Sequence, residues 1–579
     1  MNRRSLGVRL ATVVGASVLL AQGTSFAQQA PIGLTKPVHA TKVDLDPGRL
    51  YSSPAFAVDP RDPLRVVAGV ADLRSRQCHA LRSLDGGESW RLLEAAPSPA
   101  SYPFCSQSQG GVIQTPMAFG RNGTLYMAIG GWDDQDGTRN AGAIVLARSK
   151  DLGDTWESVL AYNARGKTGD SAENVRPVHA LAVDRTSGNE DTVYVTFNIS
   201  KPNATAPNAA PSLPMVAVSR DGGRTFGEPT NLADKIFEPQ AVRDQAFAKV
   251  TTTTAAPNVT TTSTTTPAAG SKAAQPNQAA NFAGSGARAS VTAGVDGKGT
   301  AYVLWMSGTA NVTPAPPPAR YISTSTDGGK TWATAQSMPF SYDNASPRMA
   351  VSREGVIHLV YGRNPRPELA SYGEIFHQAS ADQGKTWSEP KMLTDDNPAE
   401  LRSQFFPNIS IAPNGRIDTV WWDTRDDPGI RSNDVYYSYS TDEGRTWSAN
   451  RRITDQSVDR RIGVWGANYD INSPPAVTAT SAFALFGWDD SRNSREAYDI
   501  PVNGETGGGL SDVYTAAAQF SQVGPANNDA ARIALAAVVG LLVVGLILLG
   551  TSLAAKRRNG PPVAQVTGKE AKADEAKVG

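Results

Sequence analysis

The sequence is short of metal-binding side chains and of net charge. It has 2 cysteines and 5 histidines in 579 residues, too few and too scattered for a structural zinc site. Lysine and arginine number 55, and so do aspartate and glutamate, so the formal charge is zero. Without a basic excess we expect no nucleic-acid partner, and without an acidic excess no cationic one. The composition gives no sign of a metal centre or a cofactor.

Long apolar runs are also scarce, and the two that occur lie near the ends of the chain. The first, residues 11–21, follows a basic start that includes Arg3 and Arg4. Ser25-Phe26-Ala27, with small residues at its first and third positions, then matches a signal-peptide cleavage site before Gln28. The arginine pair belongs either to an ordinary basic n-region or to a twin-arginine signal. In both cases the chain is predicted to be exported, with residues 1–27 removed.

The second apolar run, residues 533–555, has no charged residue and is long enough to cross a bilayer as a helix. Lysine and arginine follow immediately, so by the positive-inside rule residues 556–579 remain in the cytoplasm as a disordered tail. Residues 521–532 form a short stalk. We therefore expect a single-pass protein of the cell membrane, with residues 28–520 outside the cell.

One pattern recurs along most of the chain: Ser-x-Asp-x-Gly-x-Thr/Ser-Trp/Phe. Its interval of roughly 55 to 70 residues exceeds most helical repeats and approaches the spacing of four-stranded propeller blades with long loops. Six copies of this octet occur, at residues 83–90, 149–156, 219–226, 325–332, 380–387 and 440–447.

Each octet position suits a tight turn between two strands. The Ser hydroxyl and the Asp carboxylate accept backbone N–H bonds, Gly tolerates positive φ, and the aromatic residue begins the next strand. The octet resembles the Asp-box of sialidases and related propellers, which implies a β-propeller fold. The carboxylates with this structural role would be Asp85, Asp151, Asp221, Asp327, Asp382 and Asp442.

Alignment on the octets gives a longer unit of three strands, the octet and a fourth strand. A seventh unit begins near Pro475 but lacks both octet and fourth strand, so residues around 38–43 are predicted to supply that strand and close the ring. The predicted fold class is all-β, a propeller of four-stranded blades with seven blades favoured and six as the alternative. The six complete units begin near Ala55, Pro116, Ala180, Ala289, Arg348 and Asn408.

The two faces of such a propeller differ in their loops. The octets share one face, the octet face, with the turns between first and second strands. Loops between second and third strands, and between blades, lie on the opposite loop face, where propeller sites usually form. Residues 251–280, a Thr, Ala, Pro and Asn tract predicted to be disordered, belong to the loop face. Sequons for N-glycosylation occur at Asn122, Asn198, Asn203, Asn258, Asn311 and Asn408.

The two cysteines flank the first octet. In an exported protein an even pair favours a disulfide, so Cys78 and Cys105 are predicted to staple a loop within the first repeat, with two free thiols as the alternative.

Charged residues follow the second strands of several blades, after a tryptophan. A carboxylate and a guanidinium this close together either bind a polar ligand or form ion pairs that brace each loop. An acidic loop with Asp134 and Asp136 either holds a calcium ion or is simply solvated. The ligand-binding candidates in the Trp-Asp loops are Asp423, Arg425, Asp489 and Arg492.

The resemblance to sialidases implies a site on the loop face. Sialidases use an arginine cluster to hold the substrate carboxylate, a Tyr nucleophile assisted by Glu, and an Asp acid/base. The matching candidates are Arg176, Arg348 and Arg402 for the clamp, Tyr469 with Asp470 beside it for the nucleophile, and Glu173 for the base. The Arg-Ile-Pro signature of sialidases is absent, because residues 53–57 read Ser-Pro-Ala-Phe-Ala.

These features favour a membrane-anchored, non-catalytic module that binds glycan, envelope polymer or protein through its loop face. An exo-sialidase-type glycoside hydrolase acting on extracellular glycans is the alternative. The remaining hypothesis is another propeller hydrolase that uses two acids, with Asp423 and Asp489 as the pair.

Overall fold

The computed structural model describes most of the predicted extracellular part of the chain, namely residues 33–41, 51–72, 75–93, 97–105, 114–132, 142–164, 174–175, 180–200, 212–235, 292–307, 319–338, 347–364, 373–397, 400, 402–427, 429, 431–459, 473–493, 500–502, 505–508 and 511–520. All of them belong to the first of the two units into which the chain divides, Met1–Ser521. The predicted signal peptide, the tract at 251–280, the stalk, the membrane span and the tail lie outside the described residues.

Extended strands and a single short 3-10 turn at Leu232–Lys235 make up the regular structure of the described residues. In chain order the strands are β1 (Gly33–Leu34), β2 (Val38–His39), β3 (Tyr51–Val58), β4 (Val66–Asp72), β5 (Gln77–Ser83), β6 (Arg91–Leu92), β7 (Phe104–Cys105), β8 (Met117–Phe119), β9 (Leu125–Trp132), β10 (Gly142–Ser149), β11 (Glu157–Asn163), β12 (Asn174–Val175), β13 (Ala180–Asp184), β14 (Thr192–Ser200), β15 (Ser212–Ser219), β16 (Thr230–Asn231), β17 (Thr292–Val295), β18 (Ala301–Ser307), β19 (Ala319–Ser325), β20 (Gln336–Ser337), β21 (Arg348–Val351), β22 (Ile357–Arg363), β23 (Glu374–Ser380), β24 (Lys391–Met392), β25 (Gln404–Ile411), β26 (Ile417–Asp423), β27 (Ser432–Ser440), β28 (Arg451–Arg452), β29 (Val458–Asp459), β30 (Ala476–Ala479), β31 (Phe483–Asp490), β32 (Ile500–Val502), β33 (Glu505–Gly508) and β34 (Asp512–Gln519).

These strands form seven antiparallel blades within the described part of the chain. Blades 1 to 6 follow the order first, second, third and fourth strand from the inside outwards: β3–β6, β8–β11, β13–β16, β17–β20, β21–β24 and β25–β28. Blade 7 has the order β30, β31, β34 and then the N-terminal strands, while β32 and β33 form a separate hairpin between β31 and β34. The all-β propeller prediction is confirmed, with seven blades rather than six.

The N-terminal strands close the ring. β1 pairs with the end of β34, Gly33 opposite Gln519, and β2 pairs with its middle, Val38 opposite Thr515. Both pairings supply the outer strand that blade 7 lacks, as the sequence predicts for the region from Val38 onwards. The edge of β34 is thereby covered, and β1 and β2 become the outermost strands of the blade.

The hydrophobic core is divided into layers between neighbouring blades. Between blades 6 and 7, for example, Trp422 and Tyr437 pack with Phe486 and Trp488, all almost fully buried. The second strands are buried almost throughout because each has a blade on either side. Their burial therefore follows from the propeller architecture, and each blade depends on its neighbours.

Every octet lies between the third and fourth strands of its blade and has the same hydrogen bonds. The Ser hydroxyl donates to the Asp carboxylate at 2.6–2.9 Å and accepts the N–H of the Gly at position five at 2.7–2.9 Å. The same carboxylate accepts both the N–H and the hydroxyl of the Thr or Ser at position seven. These two donors lower the pKa of Asp327 to about 2, and Thr386 lowers that of Asp382 in the same way.

The octets also fasten each blade to the one before it. Gly87 of the first octet has φ +99°, and a Cβ there would lie 2.6 Å from Leu485 of blade 7. Gly444 of the sixth octet, with φ +80°, would place a Cβ 2.3 Å from His377 of blade 5. Only glycine fits such a left-handed position at such close approach. The first octet therefore locks blade 1 onto blade 7, at the point where the ring closes.

Cys78 and Cys105 are joined in a disulfide with Cα atoms 5.6 Å apart. Cys78 lies on β5 of blade 1, whereas Cys105 lies on β7, which pairs with β9 of blade 2. The bond therefore links two blades. The prediction that it staples a loop within the first repeat is wrong, because β7 pairs with a strand of the second blade.

No helix among the described residues is long and apolar enough to cross a membrane. The predicted span at 533–555 is not among those residues, so its membrane insertion stays a prediction.

Candidate functional site

The second strands run from the octet face to the loop face, so their last residues and the first residues of the inner strands meet around the loop-face end of the channel. Arg348 begins β21, the inner strand of blade 5. Its side chain is half-buried, yet the surrounding protein lowers the pKa of its guanidinium to about 10. Partial exposure together with a lowered pKa is expected for a guanidinium inside the mouth of the channel.

Arg402 lies two residues before β25, the inner strand of the next blade. One terminal nitrogen is 3.9 Å from Glu400, and its Nε is buried without a hydrogen-bond partner among the described residues. A buried donor without an acceptor is costly. The Arg402 side chain as a whole is 15% exposed, so a ligand would meet its terminal nitrogens rather than Nε. Arg348 and Arg402 thus start neighbouring inner strands on one face.

The rest of the predicted sialidase-type site lies outside the described residues. This group comprises Arg176 of the clamp and the three catalytic candidates Tyr469, Asp470 and Glu173. The acidic loop with Asp134 and Asp136 is outside them too. Among the described residues, no group of three or more His, Cys, Asp or Glu side chains could hold a metal ion.

Asp423, the last residue of β26, is fully enclosed by donors. It accepts hydrogen bonds from the Trp421 indole at 2.9 Å and from the backbone and guanidinium of Arg425 at 2.8–3.0 Å. Gln404 adds a further bond at 3.3 Å. Burial raises the pKa of this carboxyl even so. Both oxygens of Asp423 accept hydrogen bonds from the protein, so this carboxylate is not available as a general acid or base.

Arg425 extends the same contacts to the neighbouring blade. Its guanidinium is 2.7 Å from Asp395, which follows the last strand of blade 5, and bonds Asn450 at 2.9 Å. The group also stacks over the ring of Tyr436 at 4.2 Å. Arg425 therefore uses its donors and its planar face within the protein, as expected of a brace between blades 5 and 6.

Blade 7 repeats this arrangement in a register that the sequence analysis missed. The Trp488 indole donates to Asp490 at 2.9 Å, and the Arg492 guanidinium contacts Asp490 and Asp455 at 2.8 Å. The same guanidinium lies over the ring of Tyr514 at 4.2 Å, as that of Arg425 lies over Tyr436. The recurring pattern is thus Trp-x-Asp-x-Arg, and Asp490 is the counterpart of Asp423. Aligning the chain on the first tryptophan of the Trp-Trp pair in blade 6 would have found it.

Asp489 has a different role from the one predicted for it. It accepts the hydroxyl of Ser52 at 2.6 Å, from the inner strand of blade 1. This contact joins the first and last blades across the closure. Asp423 and Asp489, the predicted acid pair, therefore belong to separate structural contacts.

The sequence analysis also missed a buried carboxylate between blades 5 and 6. Glu374 begins β23 and accepts the Thr394 hydroxyl. Burial raises the pKa of Glu374 to about 7; the bond from Thr394 opposes this shift, and Asp396 and Asp423 add to it. Asp396 in turn accepts a bond from Gln404 at 3.0 Å. Glu374 thus titrates close to neutral pH beneath the Arg425 brace.

Replacing Glu374 by Gln should make the protein less sensitive to alkaline pH. The raised pKa means that Glu374 stabilises the fold fully below its ordinary value of 4.5 and that this stability is lost as the pH rises through about 7. Glu374→Gln cannot ionise, so we expect it to retain roughly 1–3 kcal/mol that the wild type loses between about pH 5 and 8. Urea unfolding at about pH 5 and pH 8 measures this loss, with the exposed Glu389→Gln as control. The prediction is contradicted if the free energy of unfolding changes equally between these pH values in the wild type and in Glu374→Gln.

A polar network crosses the loop-face mouth of the channel. Gln114, before blade 2, donates to the Pro54 carbonyl of blade 1 at 2.6 Å, and accepts from Asn408 of blade 6 at 3.1 Å. Asn408 also donates to the carbonyl of Pro475 at 3.1 Å. The Asn408 amide is therefore engaged, and Asn198 is buried, so neither sequon is available for glycosylation in the folded state.

Comparisons with known proteins bear on the fold alone. No protein-family model matches the chain, and no curated protein matches it. Solved structures that match include a Hadza microbial sialidase, at 15% identity and a TM-score of 0.41, covering 79% of this chain and 73% of that one. An α-L-arabinanase of Penicillium chrysogenum complexed with arabinobiose gives 13% identity, a TM-score of 0.39 and coverages of 70% and 98%. A Trypanosoma rangeli sialidase in complex with the inhibitor DANA gives 10% identity and a TM-score of 0.39, and the match covers 74% of this chain and 56% of that one. Likeness this distant supports no inference about activity.

Proposed function

We propose that this chain is a sialidase-like propeller of the cell surface, anchored by residues 533–555, that binds an extracellular glycan or protein through its loop face without catalysis. The octets would then be Asp-boxes with a purely structural role, since both oxygens of each carboxylate are bonded within the turn. The ligand group would be an anion, a carboxylate or a comparable acidic group, because the described cations at the channel mouth are arginines.

One contrast carries the proposal. Three buried loop-face carboxylates are committed to protein donors: Asp423 to the Trp-x-Asp-x-Arg brace, Asp489 to Ser52, Glu374 to Thr394. Arg402, by comparison, has a buried Nε without a described partner and only a long contact to Glu400. Among the described residues, the face thus offers an arginine donor for an acidic ligand, while Asp423, Asp489 and Glu374 are occupied by protein donors.

Replacing Arg402 by Gln should weaken binding of an acidic glycan by about ten- to a hundredfold, the range for losing a charge-assisted hydrogen bond. The measurement is titration of the full chain in detergent with sialyllactose and with polygalacturonate, using lactose as the uncharged counterpart. Arg445→Gln is the matched control, because Arg445 is exposed on the octet face beside Glu443. Equal affinity in wild type and R402Q, or equal loss in R445Q, would overturn the proposal.

A hydrolase would give a different result with the same preparation. Release of the fluorophore from a fluorogenic sialoside, abolished by Tyr469→Phe, would replace the binding role by the sialidase-type alternative. Turnover that Tyr469→Phe leaves unchanged would exclude that tyrosine as the nucleophile.

A further inference from the structure

The chain leaves the propeller on the octet face. β34 runs from Asp512, opposite Asp490, to Gln519, opposite Phe483, and Phe483 follows the turn between the first and second strands of blade 7. Phe520 then donates its N–H to the Ala482 carbonyl at 2.7 Å, and its ring lies 3.7 Å below the Arg416 guanidinium. The exit point is therefore fixed by packing as well as by the strand.

Two large apolar side chains are exposed beside this exit. Leu64, in the turn between β3 and β4, is 50% exposed, and Leu84, in the first octet, is 59% exposed. The third exposed large hydrophobic residue of the described part of the chain, Met392, lies on the outer strand of blade 5. Leu64 and Leu84 thus place two exposed apolar tips on the octet face of blade 1.

The leucines and the exit form one continuous region across blades 1 and 7. Gly86 donates its N–H to the Leu64 carbonyl at 2.9 Å. A Cβ on Gly86 would lie 3.4 Å from both Leu64 and Phe483, the neighbour of Ala482 in the chain. A shallow cleft next to Leu84 is lined by four cations and their acidic partners, the cations being Arg61, Arg65, Arg82 and Lys150. The region combines apolar tips with basic side chains, a composition that suits a membrane interface.

The distance to the proposed membrane span is short. Between Phe520 and Ile533 lie twelve residues, 521 to 532. Such a segment reaches about 40 Å when fully extended and roughly 20 Å as a flexible coil. This step rests on the proposed anchoring by residues 533–555, which the further inference deepens. A tether of that length would allow Leu64 and Leu84 to reach the bilayer.

We propose that the octet face around Leu64 and Leu84 rests on the lipid bilayer. The two leucines enter the interfacial layer, and Arg61, Arg65 and Lys150 lie level with the lipid phosphates. The loop face, with Arg348 and Arg402, then points away from the membrane towards extracellular ligands. The cations here are balanced by acids such as Asp62 and Asp154, so contact depends on the apolar tips more than on lipid charge.

A fluorescent label at position 84 tests this in the full chain. Both native cysteines are held in the disulfide, so Leu84→Cys introduces one thiol for labelling. The protein is reconstituted into phosphatidylcholine vesicles with and without phosphatidylglycerol, containing nitroxide-labelled lipid. Met392→Cys, also exposed but on blade 5, is the matched control. We expect the label at 84 to be quenched at least about twofold more than the label at 392 in both vesicles.

Flotation of the vesicles after an alkaline carbonate wash reports the anchor separately. Protein that floats while the two labels are quenched equally overturns the surface contact but leaves the anchoring proposal standing. Protein that fails to float overturns both. A label at 84 that is shielded from water yet unquenched by lipid indicates a protein partner or a second copy and also overturns the contact. With a label at Lys150→Cys, the double change Leu64→Asp and Leu84→Asp should lower the quenching without changing flotation, and unchanged quenching would contradict the role of the leucines.

Discussion

Removal of residues 28–41 should lower the free energy of unfolding by about 5 kcal/mol or more, enough to leave much of the protein unfolded or aggregated. These residues contain β1 and β2, the outer strand of blade 7. Their backbone bonds include Thr35 N–H to the Ala517 carbonyl and Ala40 N–H to the Val513 carbonyl, both at 2.9 Å. Each such bond contributes about 1 kcal/mol, and the deletion also exposes the edge of β34 to other chains.

Side chains add to these backbone bonds. We call the segment of residues 33–41 the N-terminal clasp. The Thr41 hydroxyl accepts the Val513 N–H at 3.0 Å, and His39 stacks on Tyr514 with ring centroids 4.8 Å apart while it contacts Asp512 at 3.2 Å. Within residues 33–41, the positions 33–35 and 38–41 therefore each have a defined partner on β34. Its loss affects a large part of the molecule, since each blade of a closed ring supports two neighbours.

Urea unfolding of full-length and shortened chains measures the effect of the clasp. Deletion of residues 28–32 alone is the control, because it stops short of β1 and should leave the midpoint unchanged. A synthetic peptide of residues 30–43 should restore part of the lost stability to the shortened chain, by adding the missing strand in trans. Equal midpoints for both deletions would show that the clasp is dispensable and that the ring is closed by other contacts.

Local chemistry made the fold predictable. The octets specify a turn through their own residues, and the turn fixes the third and fourth strands of each blade. The missing octet of blade 7 pointed to the N-terminal strand for the same reason, because an incomplete sheet requires a partner. The sequence could therefore predict blade number and closure without any knowledge of contacts between distant residues.

Contacts between blades could not be predicted in this way. The bond between Ser52 and Asp489 joins residues more than four hundred positions apart, and no local pattern marks either one. Glu374 is an ordinary acidic residue at the start of a strand until Asp396 and the Arg425 loop surround it. Cys105 lies in a two-residue strand that pairs outside its own repeat. The candidate site consists largely of such contacts, which explains why the brace at Asp490 was missed while the fold was found.

A buried histidine pair provides the second large expected effect. Nδ1 of His358 and Nε2 of His377 are 3.1 Å apart between the second and third strands of blade 5. The His377 ring packs edge-on against Trp447 of blade 6, beneath the sixth octet. One nitrogen donates and the other accepts, so the pair is satisfied when both rings are neutral. A second proton would bring two donors and two positive charges together in the core.

The fold should therefore weaken as the pH falls below about 6.5. Burial lowers the pKa of His358 to about 4 and that of His377 to about 3, and His358 adds to the shift of its partner. The unfolded chain binds protons near the ordinary value of 6.5, so stability is fully present above that pH and is lost as the pH falls towards the folded values. At pH 5 the loss is roughly 2 kcal/mol for each histidine.

Urea unfolding at about pH 7.5 and pH 5 tests this, with the double variant His358→Asn and His377→Gln as comparison. The variant should be less stable than the wild type at neutral pH, because it loses a fitted buried pair. Its stability should nevertheless change less between the two pH values, by roughly 2–4 kcal/mol, since no buried imidazole remains to be protonated. The difference between the two pH values isolates the titration from any packing defect. If wild type and variant lose the same stability on acidification, other groups must bind the protons, and the histidine pair is then only a packing contact between blades 5 and 6.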